Sequence, residues 1–201
     1  MYHRACELSP GDATSLSDYG RFLASQTPLI EQATQALNAA LEADPNCETA
    51  LYHLGALQLN KLDDASSAEL LVRRLLHTSP SHMAGCQLLA RLLVIPCKLT
   101  KASKDGLPDE ALELYERVLS GLKEKEFGGS SPQPGHSFSK NLSLKETLLE
   151  YLGIVTSKGS NHQLLRVVTF LSSAQIDISA VDLEADRLLQ GMKSTVLGKR
   201  N

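Results

Sequence analysis

The chain has 201 residues, with 20 Lys and Arg against 23 Asp and Glu and a formal net charge of −3 at pH 7. That balance excludes the broad basic surface that draws nucleic acid or anionic membrane. No run approaches the ~20 apolar residues of a membrane-crossing helix. Apolar residues make up 42%, yet aromatics are only 4% and Trp is absent, so a core has to be built mainly from Leu, Ala and Val. Leu and Ala are strong helix formers, and the composition points to an all-α protein.

Residues 1–10 carry Tyr2, Ala5 and Pro10, which recur as Leu37, Ala40 and Pro45 and again as Val72, Leu75 and Pro80, at intervals of 35 residues. They match the second helix of a unit whose first helix is missing, as expected of a truncated or spliced chain or, alternatively, of a short helix that packs as an N-terminal cap. In residues 14–45, Leu16, Tyr19, Gly20 and Leu23 fall at i, i+3, i+4 and i+7, one face of a helix. Ala33, Leu37, Ala40 and Leu41 form the facing stripe of a second helix. Asp44-Pro45-Asn46 then closes the unit with a helix stop and a helix start back to back.

Residues 49–80 repeat this plan with Leu51, Leu54 and Gly55, then Ala68, Val72 and Leu75, then Ser79-Pro80-Ser81. A mid-helix glycine costs about 1 kcal/mol relative to alanine. Gly20 and Gly55 are therefore expected where a neighbouring helix passes close to the backbone, with Ala33 and Ala68 serving that approach from the other side.

Residues 82–124 begin in step with Cys86, Leu89 and Ala90. Pro96 predicts the end of that helix, followed by a loop with Lys98, Lys101 and Lys104. Pro108-Asp109-Glu110 opens the next helix with proline and acids in its first turn. Ala111, Tyr115 and Val118 resume the pattern 43 residues after Ala68, Val72 and Leu75, eight more than the period, which places an insertion between the two helices. Lys123 stands where the closing proline belongs, so this helix is expected to run on.

Residues 125–141, rich in Gly, Ser and Pro, read as a flexible loop or linker. Residues 142–192 hold a degenerate unit. Leu149, Leu152, Gly153 and Phe170 keep its internal spacing, while Arg166 replaces the alanine and Ile178 the proline. A capping helix from about Ala180 to Met192 follows, with Val181, Ala185, Leu188, Leu189 and Met192 on one face. Residues 193–201 form a tail.

Leu51-x2-Leu54-Gly55, Ala68-x3-Val72 and Pro80, with Leu16, Tyr19-Gly20, Ala33-x3-Leu37 and Pro45 before them, resemble the tetratricopeptide repeat. The units are one residue longer than that family's usual length, and Leu51 replaces its preferred Trp. The resemblance implies antiparallel helix pairs stacked as a right-handed α-solenoid over residues 1–124. It also implies a concave groove lined by the first helix of each pair. Aligned on Gly20, Gly55 and Ala90, the groove positions are Ser17 and Arg21, then Tyr52 and Asn60, then Gln87 and Arg91. Arg21 and Arg91 suit carboxylates, Asn60 and Gln87 suit peptide backbone, and Tyr52 supplies an aromatic contact. The carboxylate-clamp members of the family use Lys and Asn one turn apart where this chain has Ser17 and Arg21. They use Lys and Arg where it has Gln87 and Arg91. A clamp is therefore not expected.

The expected function is a protein-interaction scaffold or adaptor that holds a protein or peptide segment, without catalysis, cofactor, metal or small-molecule substrate. No phosphate-binding glycine loop, nucleophile elbow or zinc-protease motif is present. His77, His82 and Cys86 lie close in sequence, but Pro80 interrupts them and no second ligand cluster follows. Cys6, Cys47, Cys86 and Cys97 are widely spaced and read as small buried residues of a reducing compartment. Residues 1–7 lack the apolar stretch of a secretory signal, so a cytoplasmic or nuclear address is expected, with the Asn141-Leu142-Ser143 sequon unused. Two alternatives remain. One is an RNA-binding pentatricopeptide-like protein, whose repeat has the same length and which Gly106 to Leu119 resembles. The other is a non-catalytic piece of a larger multidomain protein.

Overall fold

The structure, a computed structural model, describes residues 11–26, 29–99, 106–127, 143–174, 176 and 183–197. The helix expected in residues 1–10, most of the 125–141 linker and the end of the tail lie outside them. Among the described residues the chain is entirely helical. In order these are α1 (Ala13–Ala24), α2 (Ile30–Ala43), α3 (Glu48–Lys61), α4 (Ala65–Thr78), α5 (Met83–Leu99), α6 (Asp109–Phe127), α7 (Leu144–Lys158), α8 (Asn161–Ser173) and α9 (Leu183–Leu197). Contacts divide the chain into two compact units, Met1–Leu92 and Leu93–Asn201.

In the first unit, caps set the helix starts. The Asp12 carboxylate accepts from the amides of Thr14 and Ser15 to open α1, and Asp64 accepts from Ser67 N–H to open α4. Both occupy the position where a side-chain oxygen satisfies an orphan amide. Neighbouring helices pack on one another, and α1 also lies against α3. Leu23 of α1, Ala33 and Ala36 of α2 and Leu57 of α3 share one buried cluster. Leu37 and Ala40 of α2 share another with Ala50 and Leu54 of α3. Each helix pair is thus joined to the next through apolar burial, the main stabilising term.

The two glycines behave as their cost predicts. A Cβ added at Gly20 would stand 2.6 Å from Leu37 Cγ, and one added at Gly55 would stand 3.0 Å from Val72 Cγ2. Leu37 and Val72 are themselves 35 residues apart and fully buried, so the same close approach recurs in consecutive pairs.

Two expectations need correction. Helix α5 does not stop at Pro96 but continues to Leu99. Proline forfeits its own N–H bond and crowds the carbonyl four residues back, and this close to the C-terminus of a helix both effects fall on its last two turns. In the second unit, α7 buries Leu144, Leu148, Tyr151, Leu152 and Val155. Of the expected Leu149, Leu152 and Gly153, only Leu152 falls on that stripe, and Leu149 and Gly153 are half-buried beside it. Gly153 has open space where a Cβ would go, so it marks no close helix approach. Phe170 is only half-buried, and α8 buries Gln163, Leu164, Val167 and Leu171 instead. As expected, α6 runs past Lys123. The last helix extends beyond Met192, packs on α7 and α8, and buries Leu189 and Met192.

Candidate functional site: a groove on the first unit

Helices α1, α3 and α5 carry the six residues nominated by spacing, and within the first unit their placement is uneven. Ser17 is 1% exposed, and its hydroxyl donates to the Thr14 carbonyl at 2.9 Å, inside its own helix. It presents nothing to a ligand. Asn60 is exposed, but its amide donates to Ala56 O at 2.8 Å. Gln87 is half-buried on α5. Arg21 and Arg91 act on neighbouring residues of α3, Arg21 on His53 and Arg91 on Tyr52, and spacing did not nominate His53 or His82 as groove residues.

Tyr52 is the centre. Its ring centroid lies 5.1 Å from that of His53, edge to face, and 5.5 Å from that of His82. Burial lifts the Tyr52 phenol above its ordinary value, against the opposing pull of the nearby Arg91 guanidinium. His53 is driven the other way. Burial first, then the Arg21 guanidinium, then His82, lower its imidazole to about 4. A half-buried imidazole beside a guanidinium stays neutral because a further positive charge there is both desolvated and repelled. Arg21 is half-buried and donates to Asp18 Oδ1 from Nε at 3.3 Å and from Nη2 at 3.1 Å. With both members substantially exposed, that pair is worth ~1 kcal/mol or less.

His82 sits where the chain enters α5. It is buried, and its Nδ1 accepts from Gly85 N–H at 2.9 Å. An imidazole therefore does the capping work usually given to Ser or Asp. The turn before it is held from α3, where the Glu48 carboxylate accepts from the Ser79 hydroxyl. A Cβ at Gly85 would meet Leu75 Cδ2 at 3.0 Å and Leu76 Cδ2 at 3.2 Å, so α5 starts tightly against α4.

The chain matches no protein-family model and no curated protein sequence. Its site must accordingly be read from its own geometry. Among the described residues no three His, Cys, Asp or Glu side chains come together as a metal cluster, and no helix is long and apolar enough to cross a membrane.

A second polar cluster lies in the other unit. Arg166 of α8 grips Glu116 of α6 through two bonds of 3.0 and 2.9 Å, with Asp109 at 3.7 Å and Glu113 at 4.0 Å. Tyr115 donates to Glu150 at 2.9 Å and Tyr151 donates to Glu116 at 3.1 Å, while the two rings stack with centroids 5.3 Å apart. Burial and the Glu116 charge push the Tyr151 phenol far up. An open cleft of about 420 Å³ lies beside this network, lined by Glu116, His162, Leu165, Arg166, Thr169, Phe170 and Ser173. The strong charges here answer one another across α6, α7 and α8, which makes the cluster a brace between helices.

Sequence reasoning placed Arg166 only as a misfit in an alanine position. The usable signal was the acidic stripe Asp109, Glu113, Glu116 at i, i+4 and i+7 on the facing helix. For His53 the signal was weaker: a polar residue wedged between Tyr52 and Leu54 in the apolar middle of its helix.

Proposed function

We propose that this protein is a non-catalytic binding module of tetratricopeptide character. In this reading a partner protein's segment lies across α1, α3 and α5 of the first unit. The observation that carries it is the half-buried Tyr52 of α3, packed on the His53 and His82 rings, with the Arg91 guanidinium acting on its phenol and the Arg21 guanidinium on the adjoining His53. Such a site offers a half-buried aromatic anchor with one guanidinium acting on it and another on its neighbour. Aromatic and Arg side chains of this kind supply most of the energy at protein interfaces. The recurring 35-residue glycine contact supports the stacked-pair architecture that the reading requires.

In this reading Tyr52 provides the apolar contact and a phenol for hydrogen bonding. Arg21 exchanges its weak Asp18 partner for a carboxylate of the ligand, and Arg91 takes another. A compartment without secretory modification, cytoplasm or nucleus, fits such a module. The test is affinity purification of the intact protein beside an Arg21→Glu, Arg91→Glu double variant. The double variant is expected to lose the partners that the natural protein retains. Recovery of the same partners by both proteins removes the groove from consideration.

A further inference from the structure

We infer that the open cleft beside the Arg166–Glu116 brace is a second docking surface, which takes a protein segment pairing a large apolar side chain with Lys or Arg. The surface lies wholly within the second unit and does not depend on the groove reading above.

Helix α8 has two faces. One buries Gln163, Leu164, Val167 and Leu171. The other, with Leu165, Arg166, Thr169, Phe170 and Ser173, lines the cleft of about 420 Å³ together with Glu116 of α6. An amphipathic helix carries polar side chains on its outward face, yet Leu165 stands 43% exposed there and Phe170 is only half-buried. A single exposed leucine needs no explanation. Here two apolar side chains line one cleft, and the hydroxyls beside them add little to it. Thr169 donates to the Leu165 carbonyl and Ser173 donates to the Phe170 carbonyl, each at 2.9 Å. Those donors are spent inside α8, so this part of the cleft offers apolar contact.

Around Arg166 the balance is negative. Its two short bonds, of 3.0 and 2.9 Å, both go to Glu116. Asp109 and Glu113 stand 3.7 and 4.0 Å from the same guanidinium, too far for hydrogen bonds, and both are exposed. Three carboxylates thus share one cation, which leaves two negative charges in excess. Asp109 lies in the first turn of α6, where the helix dipole favours an acid. Glu113 lies a turn further on, where that benefit has faded.

The chemistry of the occupant follows from these two parts. Nucleic acid or an anionic membrane surface meets repulsion from Asp109 and Glu113. A small molecule is enclosed over most of its surface in its pocket, and this cleft is open. What fits is a side chain laid in from a larger body. Leu, Phe or Met packs on Leu165 and Phe170, and a neighbouring Lys or Arg answers the two exposed carboxylates. Glu116 already offsets the charge of Arg166, so the guanidinium does not oppose that cation. Charge complementarity of this kind selects the partner more than it tightens the complex.

Selection of a random displayed-peptide library on the full chain tests this. Recovered peptides are expected to pair Leu, Phe or Met with a nearby Lys or Arg. The strongest of them, made with a fluorophore and titrated by anisotropy, is expected to bind Asp109→Asn with Glu113→Gln about tenfold more weakly than the natural chain. Leu165→Ser is expected to weaken it about tenfold as well. Its affinity for the natural chain is expected to fall as ionic strength rises from ~0.1 M to ~1 M. All three substituted positions are exposed and none takes part in the Arg166–Glu116 bonds, so the helical circular dichroism is expected to stay the same. Arg21→Glu with Arg91→Glu is expected to bind the peptide as the natural chain does, which separates this surface from the groove of the first unit. Recovery of acidic peptides only, or of no peptide that the second-unit variants weaken, overturns the inference.

Discussion

Glycine positions separate close packing from mere helix tolerance. At Gly20 an alanine methyl would stand 2.6 Å from Leu37 Cγ and 3.2 Å from the Leu37 backbone nitrogen. Leu37 is fully buried, so the neighbour has nowhere to go. Overpacking costs ~1–3 kcal/mol, and the helix preference of alanine returns about 1. Gly20→Ala is therefore expected to lower stability by up to about 2 kcal/mol, read as a lower urea midpoint. Gly153→Ala and Gly191→Ala meet nothing within 4 Å. They are expected to raise the midpoint, by up to about 1 kcal/mol each. The same shift in all three variants would contradict the packing described.

His53 sets a pH dependence at the same scale. Its folded imidazole titrates at about 4 against 6.5 when free. Between those values the unfolded chain holds the extra proton, so stability is intact above pH 6.5 and declines as pH falls toward 4. The decline amounts at most to ~3 kcal/mol. His53→Gln is expected to remove that part of the slope in denaturation curves recorded from pH 7.5 to 4.5. An unchanged slope means that other groups carry it.

Helices of the second unit are held by polar links that recur along their length. The Gln163 amide bonds the Leu107 backbone in both directions, at 3.0 and 2.6 Å. Arg166 grips Glu116 near the middle of α6, and the Lys123 ammonium donates to the Ala174 carbonyl beyond it. Gly106 has φ +84°, and a Cβ there would fall 2.4 Å from Gln163 Oε1. Gly106→Ala is thus expected to cost ~1–3 kcal/mol through the left-handed backbone and the blocked clamp. Arg166→Ala leaves Glu116, only 16% exposed in its side chain, facing Tyr151 without its cation. A loss of ~1–3 kcal/mol is expected, while Arg166→Leu with Glu116→Leu is expected to be close to neutral.

These elements also show where sequence stops being informative. The pairs α1–α2 and α3–α4 were legible because each needs a small residue opposite a large one, and Gly20–Leu37 and Gly55–Val72 recur at a fixed interval. The register of α7 was not. Leu148 and Leu149 offer competing stripes, and the choice falls to one that buries Tyr151 with its hydroxyl on Glu116, a contact made 35 residues away. Spacing also nominated Ser17 as an accessible position, whereas its hydroxyl is buried and bonded within its own helix. The capping imidazole of His82 depends on a three-residue hydrogen bond that no side-chain pattern announces.

At the scale of the whole chain, two compact units divide the labour. The first carries Tyr52 with the His53 and His82 rings, and the second carries the Arg166–Glu116 brace. Leu37 and Glu116, the partners of Gly20 and Arg166, belong to different units. Gly20→Ala and Arg166→Ala are therefore expected to add within about 0.5 kcal/mol, whereas Arg166→Ala and Tyr151→Phe, which share Glu116, are expected to depart from additivity by more than that.

Binding across α1, α3 and α5 is tested most directly by photo-crosslinking in cells. p-Benzoylphenylalanine is placed at Asn60, exposed on α3, or at Leu70, which is 72% exposed on α4. The groove predicts a discrete adduct from position 60 that Arg21→Glu with Arg91→Glu abolishes, and none from position 70. Adducts from position 70 alone, or adducts from position 60 indifferent to the two arginines, would contradict it.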